Sequence, residues 1–199
     1  MTVNNVWWCS IDTKYSSYLE LKYRKVIAQG WPGLGDLSRY FSQFPDWKKN
    51  WKGFCQVIQN LGDVYYDDWR NKTAKHRQPH SAPTVIWNLL SIKKCDLIVA
   101  REGTTVKGIC QIEQNGWESY RYDNPDVWNE AFTYAQTVGF PVNWVDWDEE
   151  IFDFVPIPPR MLLGIRALKV DKERVIEAWK KYQADFEYPN LCSSSSEGE

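Results

Sequence analysis

Two histidines, His76 and His80, stand at H-x3-H spacing, which is half of a zinc finger. The other half, a C-x2-C pair, is missing and the five cysteines are scattered, so four converging ligands are not assembled. Glu20-Leu21-Lys22, with Asp12 upstream, is the one E-x-K in the chain, an element that metal-dependent nucleases combine with a further acid. It falls on an expected helix, with no second acid on a strand beside it. The acidic group Asp146, Asp148, Glu149 and Glu150 has no lysine at a useful spacing and reads as a solvated connector. No G-x-S-x-G occurs, both histidines lie in one polar loop, and nothing marks a histidine for a catalytic cysteine. A Walker A string is missing, and Gly30, Gly33 and Gly35 lack dinucleotide spacing, so turn geometry accounts for them. The expectation is binding without catalysis, with no metal and no cofactor.

Aromatic side chains are the residue type in excess: 12 Trp, and 16% aromatic residues in all. Most must fill the core, because an indole buries a large area. Trp7, Trp8, Trp87 and Trp144 lie inside expected elements and belong there. Trp31 follows a strand, between Gly30 and Pro32, and Trp117, Tyr120 and Tyr122 sit in a polar loop over residues 115–126. Aromatic faces of this kind hold unstacked bases. A base extruded into a pocket exposes every edge, and such a pocket needs an aromatic floor, a second wall and a few polar groups.

The elements that must position these groups centre on residues 95–113, CDLIVAREGTTVKGICQIE. Two β-rich runs around a Gly-containing turn predict a hairpin. Leu97 and Val99 share one face, Ile98 and Ala100 the other, and both faces are apolar, as in a sheet covered on both sides. Leu97, Val99, Ile109 and Ile112 are expected to be buried and Lys107 exposed. Residues 3–11 read as a first strand, 16–23 as a helix capped by Ser16 or Ser17, and 25–29 as a second strand ended by Gly30-Trp31-Pro32-Gly33. Asp36 or Ser38 is expected to cap a helix through Phe44. A helical insertion spans 45–94. Its first helix starts at Pro45-Asp46-Trp47 and ends at Gly62, with Trp47, Trp51, Phe54, Val57, Ile58 and Leu61 in helical register. A basic, Pro-punctuated loop covers 70–83 and a further helix 84–90. Residues 133–145 contain a return strand, 146–153 are an acidic connector, 156–159 are stiff, and 172–186 form a C-terminal helix.

The chain has 199 residues, enough for one domain of ordinary size, expected over 1–190, with 191–199 a flexible tail or the start of a linker. Scattered cysteines suggest reduced thiols and an intracellular setting, and neither a secretory signal nor a run of 18 apolar residues is present. Net charge is −2, but residues 1–110 carry 16 Lys/Arg against 9 Asp/Glu, and the remainder 8 against 17. That asymmetry fits a polyanion-facing half as well as it fits ion pairing between halves.

A basic helix, then Asp96-Leu97-Ile98-Val99-Ala100, a turn, and Gly108-Ile109-Cys110-Gln111-Ile112 resembles the PUA-like superfamily, in particular its EVE and YTH domains. The string from Lys25 to Leu37, KVIAQGWPGLGDL, is similar to the DNA-recognition domains of some McrBC-type modification-dependent restriction systems. Thr137 to Val145 resembles the return strand of the same barrel, so the likeness covers roughly residues 3 to 160. It implies an α+β fold: a PUA-like, EVE/YTH-type mixed β-barrel with a helical insertion and flanking helices. It places Trp31 on a cage tryptophan of the family, and Ser10 and Asp12 where members supply polar contacts to the base edge. The second wall would come from Trp117, Tyr120 or Tyr122. Arg24, Lys25, Arg70, Lys72, Lys75, Arg77 and Arg101 are the expected phosphate contacts. The implied partner is nucleic acid carrying a modified, methylated base, DNA ahead of RNA, with a motor or nuclease fused or associated, and no membrane. An N6-methyladenosine RNA reader and a protein-interaction module without a base pocket are the alternatives.

Overall fold

The computed structural model describes residues 3, 5–41, 49–67, 69, 78–123, 134–157 and 164–189, with 78–80 as backbone only. In chain order the elements are β1 (Val6–Ile11), α1 (Tyr18–Arg24), β2 (Ile27–Gln29), a 3-10 turn (Pro32–Leu34), α2 (Ser38–Phe41), α3 (Trp51–Tyr65) and α4 (Gln78–Ser91). They continue with β3 (Leu97–Glu102), β4 (Thr105–Gln111), α5 (Gly116–Ser119), β5 (Arg121–Tyr122), β6 (Gln136–Val138), β7 (Val145–Asp146), α6 (Glu149–Phe152), β8 (Gly164–Ala167) and α7 (Lys172–Asp185).

Local chemistry sets the helix ends. The Ser17 hydroxyl accepts from the Glu20 amide at the start of α1, and the Asn50 side chain accepts from the Gly53 amide at the start of α3. Lys25 closes α1 in the left-handed conformation, φ 54°. Gly62 does not end its helix. It lies inside α3, which runs on to Tyr65, and the Trp69 indole sits against its bare backbone, where a Cβ would clash with the ring. Pro45-Asp46-Trp47, the expected helix start, lies outside the described residues, as do most of the basic loop and the tail.

The fold is α+β. Five strands form one mixed sheet in the order β7-β4-β3-β1-β8, and three form a second sheet in the order β2-β6-β5. Among the described residues these sheets do not close into one barrel. The β3–β4 hairpin is central as expected, with β1 parallel to β3 and β8 antiparallel to β1. The expected return strand is split. Gln136–Val138 pairs with β2 in the small sheet, whereas Val145–Asp146 pairs with β4 in the large one. The aromatic loop contains α5 and β5, the acidic connector contains α6 capped by Asp148, and β8 was not expected.

Both faces of the large sheet are covered, which is why the hairpin is apolar throughout. On one face Cys9, Ile11, Ile98, Ala100, Cys110 and Ile165 meet α1, α3, α4 and the small sheet. On the other Val6, Trp8, Leu97, Val99 and Ile109 meet Phe152 of α6 and Val175, Ile176 and Trp179 of α7. Leu97, Val99, Ile109 and Ile112 are buried, and Lys107 is half-exposed and paired with Glu102. The expectation of reduced thiols fails at Cys95, which is disulfide-bonded to a partner outside the described residues.

Candidate functional site

Trp31 follows β2 and takes the left-handed conformation, φ 62° and ψ 56°, before the 3-10 turn. A bulky residue in that region is an outlier that persists only where surrounding contacts over-determine it. Those contacts are present. Gln136 Nε2 donates to the carbonyls of Trp31 at 3.3 Å and Gly35 at 3.2 Å. The Tyr122 hydroxyl donates to the Pro32 carbonyl at 2.9 Å, and the Gly33 amide donates to the Tyr66 hydroxyl at 2.8 Å. Gly33 permits that approach, since a Cβ would stand 2.9 Å from the Tyr66 hydroxyl. The Leu37 amide donates to the Tyr120 hydroxyl at 3.0 Å, and that hydroxyl in turn donates to Gln136 Oε1 at 2.6 Å. Three tyrosines and one glutamine thus clamp residues 31–37 from three separate segments of chain.

Beside Trp31 the loop meets the end of β1. The Tyr134 ring lies against Gly30, and its hydroxyl accepts from the Asp12 amide at 2.8 Å. Asp12 Oδ1 accepts from the Lys14 amide, and the Asp12 carbonyl accepts from the Tyr15 and Ser16 amides. Behind the loop, Gln29 Nε2 lies 3.8 Å from the Cys9 sulfur, and burial pushes the Cys9 thiol up to about 12. Burial likewise pushes the Tyr66 hydroxyl up to about 12 and those of Tyr120 and Tyr134 well above the phenol range. These groups stay neutral near neutral pH, so the clamp is a fixed set of hydrogen bonds rather than a proton relay.

Of the five residues expected at the pocket, Trp31 and Asp12 share one neighbourhood through Tyr134 and Gly30. Tyr120 reaches Trp31 indirectly, through Gln136. Trp117 sits in another cluster, edge-on to Phe41 at 5.1 Å, Trp87 at 5.6 Å and Phe54 at 6.3 Å. It supports α3 and α4 against α5. Phe41 joins the two groups, since its ring also lies 5.2 Å from that of Tyr120. Ser10 points to the other face of the large sheet, because alternation along β1 puts it with Val6 and Trp8 rather than with Cys9 and Ile11. There its hydroxyl accepts from Arg101 Nε at 3.0 Å.

The expected phosphate contacts divide in the same way. Arg24 is spent on Glu20 at 2.6 Å and Asp123 at 3.5 Å. Arg101 is 3% exposed, too enclosed for a surface contact. Lys25 is exposed at the end of α1, while Arg70, Lys72, Lys75 and Arg77 lie outside the described residues. Arg39, which sequence reasoning passed over, is exposed beside the Trp31 loop, with its guanidinium over the Tyr40 ring. Gln136 and Tyr134 were also passed over. A Gln inside an apolar strand, Ala135-Gln136-Thr137-Val138, was the available signal for a buried polar role.

Among the described residues no three His, Cys, Asp or Glu side chains converge as a metal site would need, and no helix is long and apolar enough to cross a membrane. No protein-family model, curated protein or solved structure matches the chain.

Proposed function

We propose that this chain is a non-catalytic reader of nucleic acid, holding a modified base against Trp31 in a PUA-like, EVE/YTH-type domain whose barrel is left open. One observation carries the reading: a tryptophan held in a left-handed backbone conformation by a loop clamped from four side chains. Packing alone does not call for that expense, whereas a preorganised stacking surface does, because a base then binds without first ordering the loop. Asp12 and Tyr134 stand beside it as polar neighbours for a base edge. Arg39, Lys14 and Lys25 are the described exposed cations on the adjoining segments and would take the phosphates. The likeness of residues 25–37 to the restriction-system branch favours DNA.

The test is Trp31→Ala, assayed for melting temperature and for affinity to oligonucleotides with and without a methylated base. Stacking is worth about 1–3 kcal/mol per base, so modified-base affinity is expected to fall about ten- to a hundredfold toward the unmodified level. Contacts to phosphate ignore the base and are expected to survive. A folded variant that still prefers the modified base ends the assignment. Tighter binding to N6-methyladenosine RNA than to any DNA transfers the role to RNA.

A further inference from the structure

At the end of the small sheet away from Trp31, an arginine and a lysine adjoin a turn that carries an exposed phenylalanine. Ile27 pairs with Val138 and Arg121 with Thr137, so β2 begins, β6 ends and β5 begins at that one end. Gly139-Phe140-Pro141 then turns the chain, and the turn is pinned on both sides. The Gly139 amide donates to Ser119 Oγ at 2.9 Å, and the Val142 amide donates to the Lys25 carbonyl at 2.8 Å. Gly139 takes φ 78°, a conformation that suits glycine. Phe140 stands between these anchors, with the Arg121 guanidinium carbon 4.4 Å from its ring centroid, and it is still 45% exposed.

Neither cation is neutralised by an acid. Among the described residues Arg121 and Lys25 form no ion pair, and Asp123, two residues beyond Arg121, is paired with Arg24. A pinned turn that holds a large apolar ring in water, beside two exposed cations, suits a ligand that is both flat and anionic. A nucleotide has both properties: its base stacks on a ring while Arg and Lys meet its phosphate. An acidic peptide supplies the charge without the flat face.

We infer that Phe140, Arg121 and Lys25 form a second nucleic-acid contact, which stacks an unpaired base in the strand flanking the base at Trp31. The inference rests on the base-reading role proposed for Trp31. Both contacts hang on the same three short strands. Gln136 of β6 and Tyr122 of β5 hold the Trp31 loop at one end, and Val138 and Arg121 border the Phe140 turn at the other. Six residues of chain separate Lys25 from Trp31, which bounds their Cα separation at about 22 Å. At about 3.4 Å per stacked nucleotide, the flank that joins the two contacts is on the order of six nucleotides.

The test uses single-stranded oligonucleotides with one methylated base and a flank of about two or about ten nucleotides, placed 5′ or 3′, a range that brackets the expected spacing. From one side the long flank is expected to bind about tenfold tighter than the short one. Phe140→Ala is expected to remove most of that gain, and Arg121→Gln to lower the slope of log affinity against log salt by about 0.7, the share of one phosphate on a single strand. Neither is expected to change affinity for the short-flank strand or the preference for the methylated base. Should either variant lose its melting transition, Phe140→Leu and Arg121→Lys decide, since they keep apolar volume and charge but lose the flat ring and the planar fork. Trp31→Ala is expected to do the opposite, losing the preference and keeping the gain from the flank. Where the parent protein shows no preference, the base reading fails, and the same variants judge the flank contact on unmodified strands. Long-flank affinity unaltered in the variants, or a loss equal on short and long flanks, overturns the contact. Polyglutamate that displaces the long-flank strand as well as an unmodified oligonucleotide of the same charge overturns it too.

Discussion

Gln136 holds the backbone of Trp31. Its amide nitrogen donates to the Trp31 carbonyl at 3.3 Å while its amide oxygen accepts from the Tyr120 hydroxyl at 2.6 Å. The side chain is fully buried, so every one of these bonds is made away from water. Gln136→Leu keeps much of the volume and removes them, orphaning the Tyr120 donor and the carbonyls of Trp31 and Gly35. The expected loss is about 2–4 kcal/mol in urea unfolding, with discrimination between modified and unmodified base weakened alongside. A change under about 0.5 kcal/mol, the size of an ordinary surface effect, would show that the clamp is not needed.

The left-handed Trp31 backbone makes a companion expectation. Trp31→Gly and Trp31→Ala remove the same ring, but glycine adopts φ 62° without the steric cost borne by alanine. The glycine variant is expected to be the more stable by about 1 kcal/mol, the penalty for an L-residue in that region. Thermal melts of both proteins read the sign directly, and an alanine variant of equal or greater stability would mean the loop relaxes when the ring is lost.

Asp96 joins the start of β1 to the turn before β3. One carboxylate oxygen accepts from the Asn5 amide and side chain, the other from Trp7 Nε1 at 2.7 Å and the Lys93 amide at 2.9 Å. Burial pushes its pKa up and these four donors pull it back. Asp96→Asn turns one acceptor into a donor, and either orientation of the amide faces N–H groups. A cost of about 2–3 kcal/mol is expected, because the variant makes opposed donors where charge-assisted bonds stood. Chemical denaturation at pH 7 measures it, and a neutral outcome would mean the carboxyl is already protonated there.

Gly62→Ala separates helix propensity from packing. In an open helix the change would stabilise by about 1 kcal/mol. Here the new methyl meets the buried Trp69 indole, and overpacking of that kind costs about 1–3 kcal/mol. A net loss is expected, and it should shrink in a Trp69→Leu background, where the contact is relieved.

Acid sensitivity has a local source in Asp146. Lys22 Nζ lies 2.8 and 2.7 Å from its two oxygens and, with the Tyr18 hydroxyl, holds the Asp146 carboxyl below the usual carboxylate range. A carboxyl with a depressed folded pKa contributes stability above its unfolded pKa, about 3.9, and loses it as pH falls through the folded value. The pair is mostly exposed, so its worth is under about 1 kcal/mol. Asp146→Asn is expected to be slightly less stable at pH 7, with its curve meeting that of the parent protein in acid. Parallel curves down to pH 2 would remove the pair from the acid response.

Sequence alone determined what depends on neighbours along the chain. The 95–113 hairpin, the Ser17 cap, the α+β class and the α7 helix follow from alternation, capping chemistry and helical period, all of which act over a few residues. Tertiary structure decided what those rules leave open. Gly62 is a glycine inside a helix because Trp69 occupies the space a Cβ would need, and whether residues 133–145 make one strand or two depends on which sheet edge each half meets. The family resemblance puts Ser10 and Trp31 at one pocket. The sheet puts them on opposite faces, since side-chain direction in a strand reverses at each residue and only the paired register says which face is which. Gln136 escaped for the same reason: what this polar side chain does is set by partners a hundred residues away, and no local pattern encodes that pairing.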